Sequence, residues 1–172
     1  MSMGYEVRPD ANWGVLERYL RNFPQIAMKY LTEAMNQSVR LVVSEVKPIT
    51  PVGVSSRLRN SIGSQVIKEG PISLIGKVGS SMKNEEYPAV MEFGRKPGVG
   101  VPPENLERWV HLQMGVPAKD VRRVAGAVAS SIARKGIKGR EFLKRGWEKS
   151  QAKVNDFFAD ALRKIAEAIH GG

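Results

Sequence analysis

Apolar residues recur at helical spacing near the start of this chain and throughout its second half, and at strand spacing only between those regions. Trp13 to Asn22 is short and amphipathic through Leu16, Tyr19 and Leu20. Pro24 interrupts that pattern, and proline is tolerated in a first helical turn but not in a helix interior, so a new helix starts there. Its inward positions Ala27, Tyr30, Leu31, Ala34, Ser38, Leu41, Val42 and Val46 step by three and four, which predicts one buried face. Pro48 and Pro51 are expected to stop it. A Pro- and Gly-bearing loop follows, with Ser55 or Ser56 as the cap of a short turn through Leu58. Ser61 to Lys68 and Ile72 to Val78 then read as two strands joined by a turn at Glu69-Gly-Pro71. Gly63 and Gly76 weaken them and predict a twist or a bulge.

Tyr87 to Phe93 fits either period: Tyr87, Ala89, Met91 and Phe93 for a strand, or Tyr87, Val90, Met91 and Gly94 for a helical turn. The next residues, 94–101, are broken by glycine and proline and carry Arg95 and Lys96, the pattern of a mobile charged loop. From 102 to 170 the chain is helical. Pro102 and Pro103 set up one helix that Gly115 ends. A second runs from about Pro117 to Arg134, with Gly136 as its terminator, and Ile137 to Arg140 is a link. The last spans about Glu141 to Ile169, with Gly146 as a candidate kink. Two strands alone do not make a stable sheet and need a third strand, a helix across their face, or both; the long first helix supplies such a face. The expected fold class is α+β: a long N-terminal helix packed on a small antiparallel β-sheet, followed by a helical C-terminal half. The 172 residues suit a single domain with residues 1–12 as a flexible arm.

Composition narrows the function classes. There is no cysteine, so disulfide and thiolate chemistry are excluded. No apolar run has membrane-spanning length, and the first residues lack the cationic start and apolar core of a secretory leader. His111 and His170 lie on separate elements, and neither HExxH, GxSxG nor a phosphate-binding Gly-Lys-Ser/Thr loop occurs. No metal, cofactor or catalytic residue is therefore assigned, and an enzyme is not expected.

Charge points toward partners. The net charge is +10, from 27 Lys plus Arg against 17 Asp plus Glu, which favours a polyanionic or acidic partner. Lys135, Lys138, Arg140, Lys144 and Arg145 form the densest run of candidates for facing DNA or an acidic protein. Lys144, Arg145, Lys149 and Lys153 fall outside the apolar stripe of the last helix and make a candidate basic face. The bland alternative is the solvated back of amphipathic helices. No base-reading signature is present, so any DNA contact would be to the backbone.

Three pieces in order carry a resemblance. They are Thr50-Pro-Val-Gly53 followed by Arg57-Leu-Arg-Asn-Ser-Ile62, then Tyr87-Pro-Ala-Val-Met-Glu-Phe-Gly94, then Ile132-Ala-Arg-Lys-Gly136 leading to Phe142-Leu143. Together they resemble the tail-completion and head–tail joining proteins, or minor tail and neck components, of long-tailed bacteriophages. Members read Thr-Pro-Val-Asp-Thr-Gly-x-Leu-x-x-Ser-Ile and Tyr-Ala-x-x-x-Glu-x-Gly-Thr. This chain departs from them at Gly53-Val-Ser-Ser56, at Pro88 and at Arg95, which stands where the family has threonine. The resemblance implies a structural virion protein without catalysis. It would form a ring with copies of itself, commonly sixfold, in the neck or at the head-proximal tail end. Its neighbours would be connector, adaptor and tail-tube or terminator proteins, with genomic DNA in the lumen. It would reside in the virion, after assembly in the host cytoplasm. Arg57, Arg59, Tyr87, Glu92, Arg95 and Lys96 are the candidate interaction residues on that reading. The alternative is a sequence-independent nucleic-acid-binding module.

Overall fold

The computed structural model describes residues 4–7, 13–70, 73–83, 86–98 and 100–170. Its elements are β1 (Gly4–Val7), α1 (Trp13–Asn22), α2 (Pro24–Ile49), α3 (Arg57–Ser61), β2 (Ile62–Lys68), β3 (Leu74–Ser80), α4 (Glu86–Phe93), β4 (Gly94–Arg95), α5 (Glu104–Met114), α6 (Ala118–Lys135), β5 (Ile137–Lys138) and α7 (Phe142–His170). The fold class is α+β, with the long helix α2 packed on a small antiparallel sheet and helices after it. Among the described residues no helix is long and apolar enough to cross a membrane. The chain divides into two compact units, each with its own internal packing. One comprises residues 1–49, 62–81 and 143–172; the other comprises 50–61 and 82–142.

In the first unit the sheet has three strands in the order β1-β3-β2, all antiparallel. The N-terminal segment is thus not wholly an irregular arm. Gly4–Val7 pairs with β3 from Gly4↔Gly79 to Val7↔Gly76. An edge strand carries a row of unpaired backbone groups, and β1 satisfies one such row on β3. Four residues of Gly-Tyr-Glu-Val carry too little alternation to announce that pairing. The β2–β3 register runs without interruption from Ile62↔Ser80 to Lys68↔Leu74, so neither glycine makes a bulge. Gly76 serves packing instead. A Cβ there would lie 2.6 Å from Met35 Sδ and 2.7 Å from Val39 Cγ1, so α2 crosses β3 where a side chain is absent. Ile72, expected to open the second strand, lies outside the described residues, as do the side chains of Leu16, Tyr19 and Leu20 on α1.

Helix α2 buries Ala27, Leu31, Ala34, Met35, Ser38, Val39, Val42 and Val46, close to the predicted stripe. Pro48 does not end the helix before it. It sits in the last turn, where its missing N–H removes one donor with a single helical residue to follow. Helix α7 faces α2. Gly146 packs against Val46, and Glu33, Ala34 and Gln37 lie beside Phe157, Asp160 and Lys164, the order of an antiparallel pair. α7 runs unbroken through Gly146, whose role is this close approach rather than a kink: a Cβ would stand 3.1 Å from the Val46 Cα. Val154, Phe158, Ala161 and Ile165 form its buried stripe. The buried hydroxyls of Ser38 and Ser150 donate to the carbonyls of Ala34 and Gly146, each at 2.7 Å, which satisfies them within their own helices.

In the second unit Tyr87–Phe93 takes the helical option as α4, with Pro88 in the first turn, where no donor is lost. α5 and α6 form a hairpin around Val110, Val121 and Ala125, packed by Leu106, Val116, Val124 and Val128. Gly115 closes α5 in the left-handed region (φ 66°), as its position predicted. Gly136 donates its N–H to the Ile132 carbonyl at 2.8 Å.

Candidate functional site

The segment expected to be a mobile loop is partly a clasp. Gly94 and Arg95 form β4, which pairs with β5 through Gly94↔Lys138 and Arg95↔Ile137. The 137–140 link is therefore half of a two-strand ladder. Further backbone bonds extend the clasp: Gly98 N–H to the Ala133 carbonyl (2.8 Å), Arg140 N–H to the Met91 carbonyl (2.8 Å) and Glu141 N–H to the Glu92 carbonyl (3.1 Å). Three glycines permit this approach. A Cβ on Gly94 would strike the Ile137 carbonyl, one on Gly136 the Arg95 carbonyl, and one on Gly139 the Glu92 carbonyl. Gly94 and Gly136 also need positive φ, 82° and 73°. The clasp closes the base of the α5–α6 hairpin: β4 precedes it and β5 follows it. The loop expectation failed here because the pairing joins residues more than forty positions apart, which local glycine and proline content does not reveal.

The candidate interaction residues are sorted by this geometry. Glu92 is 0% exposed, so it is a core carboxylate and not a contact for a partner. It lies on α4 immediately before the clasp, and its main-chain carbonyl accepts from the Glu141 N–H. Arg57 and Arg59 do not project side by side. At 100° per residue they point to different sides of α3. Arg57 is exposed, whereas Arg59 is half-buried and donates from Nη2 to the Thr50 carbonyl at 3.3 Å. Tyr87 is half-exposed over the Gly53 turn, and its burial pushes the phenol pKa above the ordinary value. Arg95 is mostly covered and lies 3.7 Å from Glu86 across an exposed ion pair. Lys96 is exposed beside it.

The basic candidates separate between the two units. Lys135, Lys138 and Arg140 are exposed in the second unit, at the end of α6 and through the clasp. Lys144 and Arg145 are exposed on the first turns of α7, in the first unit. Two other cations of the expected α7 basic face are engaged. Lys149 reaches Glu45 at 2.5 Å; Lys153 lies 3.7 Å from Asp156 and over the Phe157 ring at 5.6 Å. Further along, Asp160 holds both Arg163 and Lys164, and the hydrogen bond from Lys164 leads the causes that lower its pKa. Lys153, Arg163 and Lys164 are thus paired within α7 and Lys149 with α2, in surface ion pairs worth little in stability.

Sequence reasoning missed one group of exposed residues. Phe93, at the end of α4, is 68% exposed, and Trp109, Leu112 and Met114 on α5 are exposed at 40%, 54% and 49%. The structure buries Val110 and leaves Trp109 outside, because α6 covers only the flank of α5 centred on Val110. The signal was present in the count: α5 offers more apolar residues than one contact face can cover.

Among the described residues no three His, Cys, Asp or Glu side chains gather as a metal-ligand set. The chain matches no protein-family model, no curated protein and no solved structure with which it was compared.

Proposed function

We propose that this protein is a structural component of a tailed bacteriophage particle, forming a ring in the neck or at the head-proximal end of the tail. One observation carries the reading. The three sequence pieces that resemble tail-completion and head–tail joining proteins coincide with three junctions of the fold. Arg57–Ile62 turns α3 into β2, Tyr87–Gly94 turns α4 into β4, and Ile132–Gly136 ends α6 at β5. Within the middle piece the shared Glu and Gly have demanding roles: Glu92 is fully buried, and Gly94 needs both positive φ and an absent Cβ. A short motif whose residues are fold-determining is better support than the same letters on a solvated loop.

On this reading the mechanism is stoichiometric. Subunits add to a preformed ring on the head or tail, with partners drawn from other copies and from connector, adaptor and tail-tube or terminator proteins. The exposed cations Arg57 and Lys96, and Arg95 with its solvent-facing ion pair, contribute to encounter and specificity more than to stability. Electron microscopy of particles made without this gene product tests it. DNA-filled heads beside free tails of normal length mean joining, and overlong irregular tails mean termination. Intact infectious virions overturn the proposal.

The second reading, a sequence-independent nucleic-acid binder, is favoured by the succession of exposed Lys135, Lys138 and Arg140. It predicts that the isolated protein binds DNA with an affinity falling linearly with salt on logarithmic axes.

A further inference from the structure

The α5–α6 hairpin carries a surface that neither its own core nor the clasp uses. Val110 faces α6 and is fully buried. Leu112 stands about 200° round the helix from it, and Trp109 lies between them on one flank, so the two make an apolar strip on the uncovered side. Arg108 precedes Leu112 by one turn and borders that strip. On the other side of Arg108 an open groove of about 440 Å³ runs between α5 and α6, lined by Glu107, Arg108, His111 and Arg122. His111 Nδ1 lies 2.8 Å from the Val116 carbonyl and donates to it, which leaves Nε2 on the solvent side. Arg123 is tied to Asp120 at 3.3 Å, whereas Arg108 and Arg122 make no ion pair among the described residues.

We infer that this strip and groove form a docking surface for an acidic amphipathic segment of another protein. An apolar strip is covered profitably only by an apolar face, and two unpaired arginines beside it are matched by carboxylates on the same segment. Tryptophan and arginine are also the residue types that most often dominate such contacts. A second copy of this chain fits poorly. Residues 104–135 carry six cations (Arg108, Lys119, Arg122, Arg123, Arg134 and Lys135) against three acids (Glu104, Glu107 and Asp120), and the whole chain is +10. Nucleic acid fits less well than protein, because phosphates would engage the arginines and leave Leu112 with nothing apolar to cover it. The inference does not depend on the virion reading.

The test uses the full chain and fluorescently labelled synthetic helices. One helix carries leucine and phenylalanine on one face and glutamate on the other. A second has the same composition scrambled so that no apolar face forms, and a third has lysine for glutamate. The acidic amphipathic helix is expected to bind, and the other two to bind at least about tenfold more weakly. Trp109→Ala, and separately Arg108→Glu with Arg122→Glu, are each expected to weaken it at least about tenfold with unchanged thermal melting. Arg40→Glu, on the exposed side of α2 in the other unit, is expected to leave binding unchanged. Equal binding of the scrambled helix, or no binding at all, overturns the inference. So does a single-stranded oligonucleotide that binds more tightly through the same arginines, or a dimer in sedimentation that Leu112→Glu abolishes.

Discussion

A Cβ on Gly139 would stand 2.5 Å from the main-chain carbonyl oxygen of Glu92. That approach brings the chain leaving the α5–α6 hairpin against the chain entering it, and Gly94 and Gly136 repeat it on either side. The clasp is therefore built from backbone against backbone, with glycine as the condition for it.

Gly139→Ala and Gly94→Ala are each expected to destabilise the protein by about 2 kcal/mol or more, because the neighbouring atoms are main chain and cannot rotate away. Gly94 adds the strain of a side chain at φ 82°. Urea denaturation reads this as a lower midpoint at an unchanged slope. A midpoint equal to that of the parent protein would show that the clasp is loose.

Gly146→Ala provides a test of sign. In an exposed helix interior the change stabilises by about 1 kcal/mol. Here the new methyl meets Val46, so a loss of about 1–3 kcal/mol is expected, larger for Gly146→Val. A gain on alanine substitution would mean that α2 and α7 are not in close contact at this point.

Glu92 interacts only within the protein, since it is closed to solvent. Glu92→Ala removes a fully buried polar side chain together with the interaction it makes inside the protein, at a cost of about 3 kcal/mol. Glu92→Gln keeps the shape and some of the hydrogen-bonding capacity, and is expected to lose less. Thermal melting of the pair decides it: two variants as stable as the parent would place Glu92 at the surface.

Tyr87 gives a pH dependence. Burial raises its phenol pKa in the folded chain above the ordinary 10.0, so the folded state holds that proton more tightly than the unfolded state. Its contribution is fully present below pH 10 and is lost as the pH rises through the folded value. Tyr87→Phe is expected to remove a tyrosinate absorbance transition lying above 10 and to retain more stability in alkali. A lost transition at or below 10 would show the phenol to be solvated.

Much of the helical framework was legible in residue spacing. The start at Pro24, the buried stripe from Ala27 to Val46, the stops at Gly115 and Gly136, and the β2–β3 hairpin each follow from local rules. The ambiguous Tyr87–Phe93 could not be settled that way, because seven residues satisfy both periods. For the candidate site, exposure of Arg57 and Lys96 agrees with the charge pattern, while Glu92 and Arg59 turned inward.

By itself, the sequence determined which segments form helices and which pair of neighbouring segments forms a hairpin, since periodicity, proline and glycine act within a few residues. Only the tertiary structure decided that β1 completes the sheet, that Gly94 meets Lys138, that Glu92 is buried and that Trp109 and Leu112 stay uncovered. Those outcomes depend on which distant backbone groups satisfy one another's hydrogen bonds, and on how much of each helix a partner can cover. Neither quantity is carried by the spacing of residues along the chain.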